Sequence, residues 1–91
     1  MTTAILAAEI PPAITYLEAV KSIIETAKHI DVAFDQAPAS PTNWACNNAW
    51  IELAITAKAH NYLSLAKAQS MLTPSLWNGL IDETIARLKS L

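Results

Sequence analysis

The stretch Pro41–Met71, PTNWACNNAWIELAITAKAHNYLSLAKAQSM, decides how the chain folds. It contains no glycine, and its one proline stands at the first position, where a helix does not need the missing N–H. Read as one helix, its roughly 31 residues span about 46 Å. It holds Trp44 and Trp50, the lone cysteine Cys46 and one of the histidines, His60. On a helical wheel Trp44, Trp50, Ile51, Ile55, Tyr62 and Leu65 share one broad sector, with Asn48, Glu52, Thr56, His60 and Lys67 largely opposite. Leu53, Leu63 and Met71 interrupt that polar side. Ala45, Ala49, Ala54, Ala57 and Ala59 thin the helix and permit close neighbours.

The flanking punctuation sets the rest. Upstream, Ala37–Pro41 reads APASP: Pro38 and Pro41 interrupt a helix, and Ser40 is a good N-cap for the next one. A helix is therefore expected over about 12–36. Its stripe of Tyr16, Val20, Ile23, Ala27, Ile30 and Phe34 alternates spacings of four and three. Glu18–Lys21, Lys21–Glu25 and Glu25–His29 stand at neighbour spacing on its other side. Downstream, Thr73–Pro74 repeats the cap-and-proline device and starts a helix over about 74–90, with Trp77, Leu80, Ile81, Ile85 and Leu88 inward and Glu83–Arg87 as an exposed pair. Gly79 inside it is expected to mark a close helix crossing. Residues 1–10 form an arm or a short helix, set apart by Pro11-Pro12 because the residue before a proline is steered away from the α region. The fold predicted is all-α: one domain over 11–91, an up-down-up three-helix bundle (12–36, 41–71, 74–90) with a long central helix.

Composition narrows function. At 91 residues the chain supports one small core. Only 15% of residues are charged while 53% are apolar, so a small surface has few charges to solvate it: either a polar uncharged face does that work, or another copy covers some of the apolar surface. A net charge of −2 speaks against direct nucleic-acid binding. One cysteine permits neither an intrachain disulfide nor a cysteine-built metal site and fits a reducing cytoplasm. The first ten residues match neither a signal peptide nor a membrane span.

No motif points to chemistry. His29 and His60 lack a second ligand at metal spacing, and the single glycine allows no phosphate-binding loop. Cys46 and His60 lie about 21 Å apart along one helix, too far for a dyad, although folding could bring His29 or Asp31 near Cys46. A free helical cysteine is ordinarily a small buried hydrophobe. No catalytic residue, metal or cofactor is expected.

Two surfaces are expected to matter. Matching helix lengths leaves the first half of the 41–71 helix covered by one neighbour only, so Trp44, Trp50 and Ile51 form the expected interaction surface unless the arm, through Ile5 and Leu6, folds over them. Asn47, Trp50, Lys58 and Asn61 follow one stripe, which offers an aromatic platform, amide groups and a cation to a small anionic or nucleotide-like ligand. The expectation is a non-enzymatic helical protein, a homo-oligomer with a dimer favoured, that binds a protein partner in the manner of small adaptors or inhibitors such as phages and mobile elements encode. A ligand-sequestering protein is the alternative. The proline-capped pattern is too generic to point to a family.

Overall fold

The computed structural model describes residues 5–37, 45–62 and 73–91. Four α-helices lie among these residues: α1 (Ile10–Ala27), α2 (Ile30–Gln36), α3 (Ala45–Ala59) and α4 (Pro74–Lys89). A 3-10 turn, Ala7–Glu9, leads into α1. The all-α bundle read from the sequence is the fold of the chain. Trp44, the expected cap at Ser40–Pro41 and residues 63–71 of the expected central helix lie outside the described residues.

The organising element is α1, which packs against α2, α3 and α4 alike. Its inward side is Ala13, Tyr16, Leu17, Val20 and Ile24. Pro11 and Pro12 do not separate an arm from this helix. Ile10 is already helical at φ −63°, and both prolines sit in the first turn, where no backbone N–H is required.

The helix expected over 12–36 is broken. Lys28 adopts the left-handed conformation, φ 67°, and its N–H bonds to Ile24 O at 2.7 Å, which closes α1. His29 is extended, and α2 then folds back. The reason is long-range packing. Tyr16 Oη donates to Phe34 O at 2.8 Å, and the two rings stand 5.6 Å apart. In a continuous helix those residues would be about 27 Å apart. The reversal buries Ile30, Ala33 and Phe34, which outweighs about 1–2 kcal/mol for a lysine at positive φ. It also removes the expected Glu25–His29 neighbour pair. Lys21 pairs instead with Asp82 of α4, at 2.6 Å.

The long central helix is likewise shorter than expected. It ends at Ala59 through a Schellman cap: Asn61 takes φ 69°, its N–H bonds to Lys58 O at 3.0 Å, and the Tyr62 N–H bonds to Ala57 O at 3.1 Å. Tyr62 then packs against the core. By contrast α4 follows its sequence signals closely. Thr73 Oγ1 accepts from the Leu76 N–H at 3.3 Å, and Trp77, Leu80, Ile81, Ile85 and Leu88 are all buried. Gly79 differs in one respect: it marks no close crossing, because a Cβ placed there meets nothing within 4 Å.

Candidate interaction surface

The third helix buries the polar side of its wheel, the side that Leu53 interrupts. Its buried residues are Ala45, Ala49, Glu52, Leu53, Thr56 and Ala57, so the polar side of the wheel faces the core and Ile51 faces out. Long-range partners make this orientation workable. The Glu52 side chain, only 1% exposed, accepts from Arg87 Nη1 of α4 at 2.6 Å through Oε1. Arg87 Nη2 donates to Glu52 O at 2.9 Å and to Thr56 Oγ1 at 3.3 Å. The Thr56 and Thr84 hydroxyls meet at 2.6 Å, and Thr84 Oγ1 also donates to Leu80 O at 2.8 Å. Thr56 Oγ1 in turn reaches Glu52 O at 3.2 Å, so each hydroxyl has a backbone acceptor one turn back and either can donate in the pair. Three of the buried positions are alanine, and α3 packs against both α1 and α4. Arg87 therefore does not form the expected pair with Glu83. Glu83 bonds to His60 Nε2 at 2.6 Å, which ties the end of α3 to α4.

The outward side of α3 is correspondingly apolar at its centre. Asn47, Ile51 and Lys58 are exposed, and Ala54 is half-buried between them. Ile51 is 39% exposed in mid-helix, on a face that no described element covers. The described part of the N-terminal arm does not shield it: the turn packs on α1, and Leu6 is itself 71% exposed. Leu76 and Leu91 are the other open large apolar residues, the first at the start of α4 and the second at the chain end.

Beside the N-terminal half of α3 lies an open concavity of about 380 Å³, lined by Asp31, Phe34 and Asp35 from α2 and by Cys46, Asn47 and Trp50 from α3. Its floor is aromatic. The Phe34 and Trp50 rings meet edge to face at 4.8 Å. Its charged lining residues are two carboxylates, one helical turn apart on α2. The fold does bring Asp31 near Cys46, as antiparallel packing allowed. Cys46 is exposed rather than buried. Tyr16 lies beneath. Burial pushes its hydroxyl up to about 12, with Cys46 and the Asp35 charge adding to the shift.

Of the residues singled out in the sequence, Asn47 and Trp50 line this concavity and Ile51 stands next to them. Lys58 and Asn61 do not line it. Both are exposed toward the other end of α3, and Asn61 has left the helical stripe for the left-handed cap. Asp31 and Asp35, which the sequence reads as a solvated helix end, are charges on this surface, and the Glu52–Arg87 pair was missed by sequence reasoning. The first pair carried a signal, a four-residue spacing on one helix face. The second carried none, because its partners are 35 residues apart. A second groove, lined by Glu18, Lys21, Ser22, Glu25, Asn78, Asp82 and Ile85, runs between α1 and α4. Among the described residues no group of three His, Cys, Asp or Glu side chains could hold a metal ion, and no helix is long and apolar enough to cross a membrane. No protein-family model matches the chain, and searches of the curated proteins and of the solved structures return no match.

Proposed function

We propose that this chain is a non-enzymatic helical interaction protein that self-associates, as a dimer, and acts by occupying a surface on another macromolecule, as cytoplasmic adaptors and inhibitors do. One observation carries this reading. The third helix turns its polar side inward onto Arg87 and Thr84 and leaves Ile51 open beside the Phe34–Trp50 floor. Large apolar side chains left open in mid-helix and next to aromatics mark a binding surface. Among the described residues no histidine lines the concavity around Cys46. A small anionic ligand is the weaker occupant, because the charged groups around the concavity are carboxylates and Lys58 points elsewhere.

Size-exclusion chromatography with light scattering tests self-association. The wild type is expected to run above monomer mass through the micromolar range. Ile51→Lys is expected to run as a monomer with unchanged far-UV circular dichroism. A wild-type monomer at every concentration refutes the self-association. The second arm compares immobilised wild type and Ile51→Lys against host extract. A protein retained only by the wild type supports the partner reading, and identical retention by both refutes it.

A further inference from the structure

The occupant of the α3 face can be specified from its own residues. Along α3 the outward positions are Asn47, Ile51, Ala54 and Lys58, at spacings of four, three and four. That order of spacings is the same in both chain directions. It is also the seam spacing of paired helices. We propose that a second copy of this chain docks antiparallel on α3, about a two-fold axis midway between Glu52 and Leu53, so that Lys58 of each copy enters the Asp31/Asp35 concavity of the other. The proposal rests on the self-association proposed above and goes on to name the face, the direction and the paired residues.

Three observations converge on this geometry. First, an isologous interface needs a self-complementary surface. The antiparallel register sets Ile51 against Ala54 of the second copy, a large side chain against a small one, twice over. Second, the same register sets Asn47 against Lys58 of the second copy. Asn47 lines the concavity that holds Asp31 and Asp35, and neither carboxylate has a cationic partner among the described ion pairs. Lys58 is exposed and likewise forms none of those pairs. The acidic and basic ends of one face are thus complementary only when the second copy is reversed. Third, a parallel arrangement would place Lys58 against Lys58 and the acidic ends against each other, and like charges so placed disfavour it. Ala54 at the centre lets the two helix axes approach to the close end of the usual 8–10 Å range.

The lone Cys46 supplies a ruler. In the antiparallel dimer the two copies of Cys46 are offset by about 20 Å along the helix axes, so their Cα atoms lie roughly 22 Å apart. A parallel dimer would hold them within roughly 10 Å. Spin labels on Cys46 read this distance by pulsed electron resonance, without any substitution. Sedimentation equilibrium reads the affinity of the wild type, Lys58→Glu, Asp31→Lys/Asp35→Lys, and the combined triple variant. The expected results are a label distance near the antiparallel value, a dimer dissociation constant at least about tenfold higher for Lys58→Glu and for the double variant, and recovery in the triple variant to within about threefold of wild type. A wild type that never dimerises overturns both the self-association and this proposal. A wild type that dimerises with a short Cys46–Cys46 distance, or whose affinity Lys58→Glu leaves unchanged, overturns this proposal and leaves the self-association standing.

Discussion

Replacing Arg87 by methionine tests whether the inward polar face of α3 depends on a single cation. The substitution keeps most of the aliphatic volume and removes the guanidinium. In the folded chain that group makes three bonds, to Glu52 Oε1 at 2.6 Å, Glu52 O at 2.9 Å and Thr56 Oγ1 at 3.3 Å. The Glu52 side chain is 1% exposed and its Oε2 has no hydrogen-bond partner, so loss of Arg87 leaves a carboxylate buried with no compensating charge. Breaking a buried pair in this way costs about 3–5 kcal/mol, and the lower end applies here because Arg87 keeps some contact with solvent. A chain of 91 residues has roughly 5–14 kcal/mol in all. With a urea m-value of about 1 kcal/mol/M, the midpoint should fall by roughly 3 M. Urea titrations followed by far-UV circular dichroism give the number. A double-mutant cycle with Glu52→Gln gives the coupling: once Glu52 is neutral, Arg87→Met should cost at least about 1.5 kcal/mol less. An Arg87→Met variant that loses under about 1 kcal/mol would falsify the orientation of α3 described here, because Glu52 could then not be facing inward as a charged group.

Four further substitutions or conditions read other parts of the fold. Lys28→Gly should raise stability by about 1 kcal/mol, since φ 67° suits glycine; in an unbroken helix the same change would cost about as much, so the sign in a thermal melt decides. Asn61→Ala should cost about 1 kcal/mol for the same reason, whereas within a continued helix it would stabilise. Gly79→Ala should raise stability by about 0.5–1 kcal/mol, or roughly 4–8 °C per kcal/mol in Tm, because the added Cβ meets open space; a loss of stability would reveal a hidden close contact. Between the ordinary tyrosine value of 10.0 and about 12, Tyr16 stays protonated in the folded chain while it ionises in the unfolded one, so stability should fall with rising pH across that window, by on the order of 1–3 kcal/mol; urea midpoints measured from pH 9 to 12 check it, and Tyr16→Phe should flatten the slope.

How much of this was legible in the sequence differed from helix to helix, for physical reasons. The start and the buried stripe of the fourth helix were legible, because a local device, Thr73–Pro74, sets the first and an uninterrupted apolar spacing the second; the crossing expected at Gly79 and the Glu83–Arg87 pair are not found. The break at Lys28 was not. The inward residues Val20, Ile23, Ala27, Ile30 and Phe34 keep helical spacing through it, and lysine is not a residue that announces a left-handed turn. What bends the chain there is the Tyr16–Phe34 contact, which spacing along one helix cannot show. The end of α3 was legible in principle: asparagine followed by an apolar residue is a known helix stop, and the alanine-rich run around it outweighed that signal. Of the residues expected at the interaction surface, Ile51 is exposed and Trp50 is half-buried against the core, and the acidic rim came only with the folded arrangement of α2.

The facing of α3 is the deeper case. A hydrophobic wheel assigns the inward side by assuming that polar groups reach water and apolar groups do not. That assumption fails when the polar groups find partners on another helix, as Glu52 finds Arg87 and Thr56 finds Thr84 at separations of 35 and 28 residues. Once those bonds form, Leu53 is the one large apolar side chain that α3 buries fully, with Trp50 half-buried at the edge of the core and alanines at three of the other buried positions. The larger apolar group Ile51 is then left outside as a consequence of satisfying the inside. The buried network and the open apolar face are therefore one design rather than two features. A change that relaxed the network, by letting α3 rotate Ile51 inward, would remove the proposed docking face at the same time as it removed the buried charge.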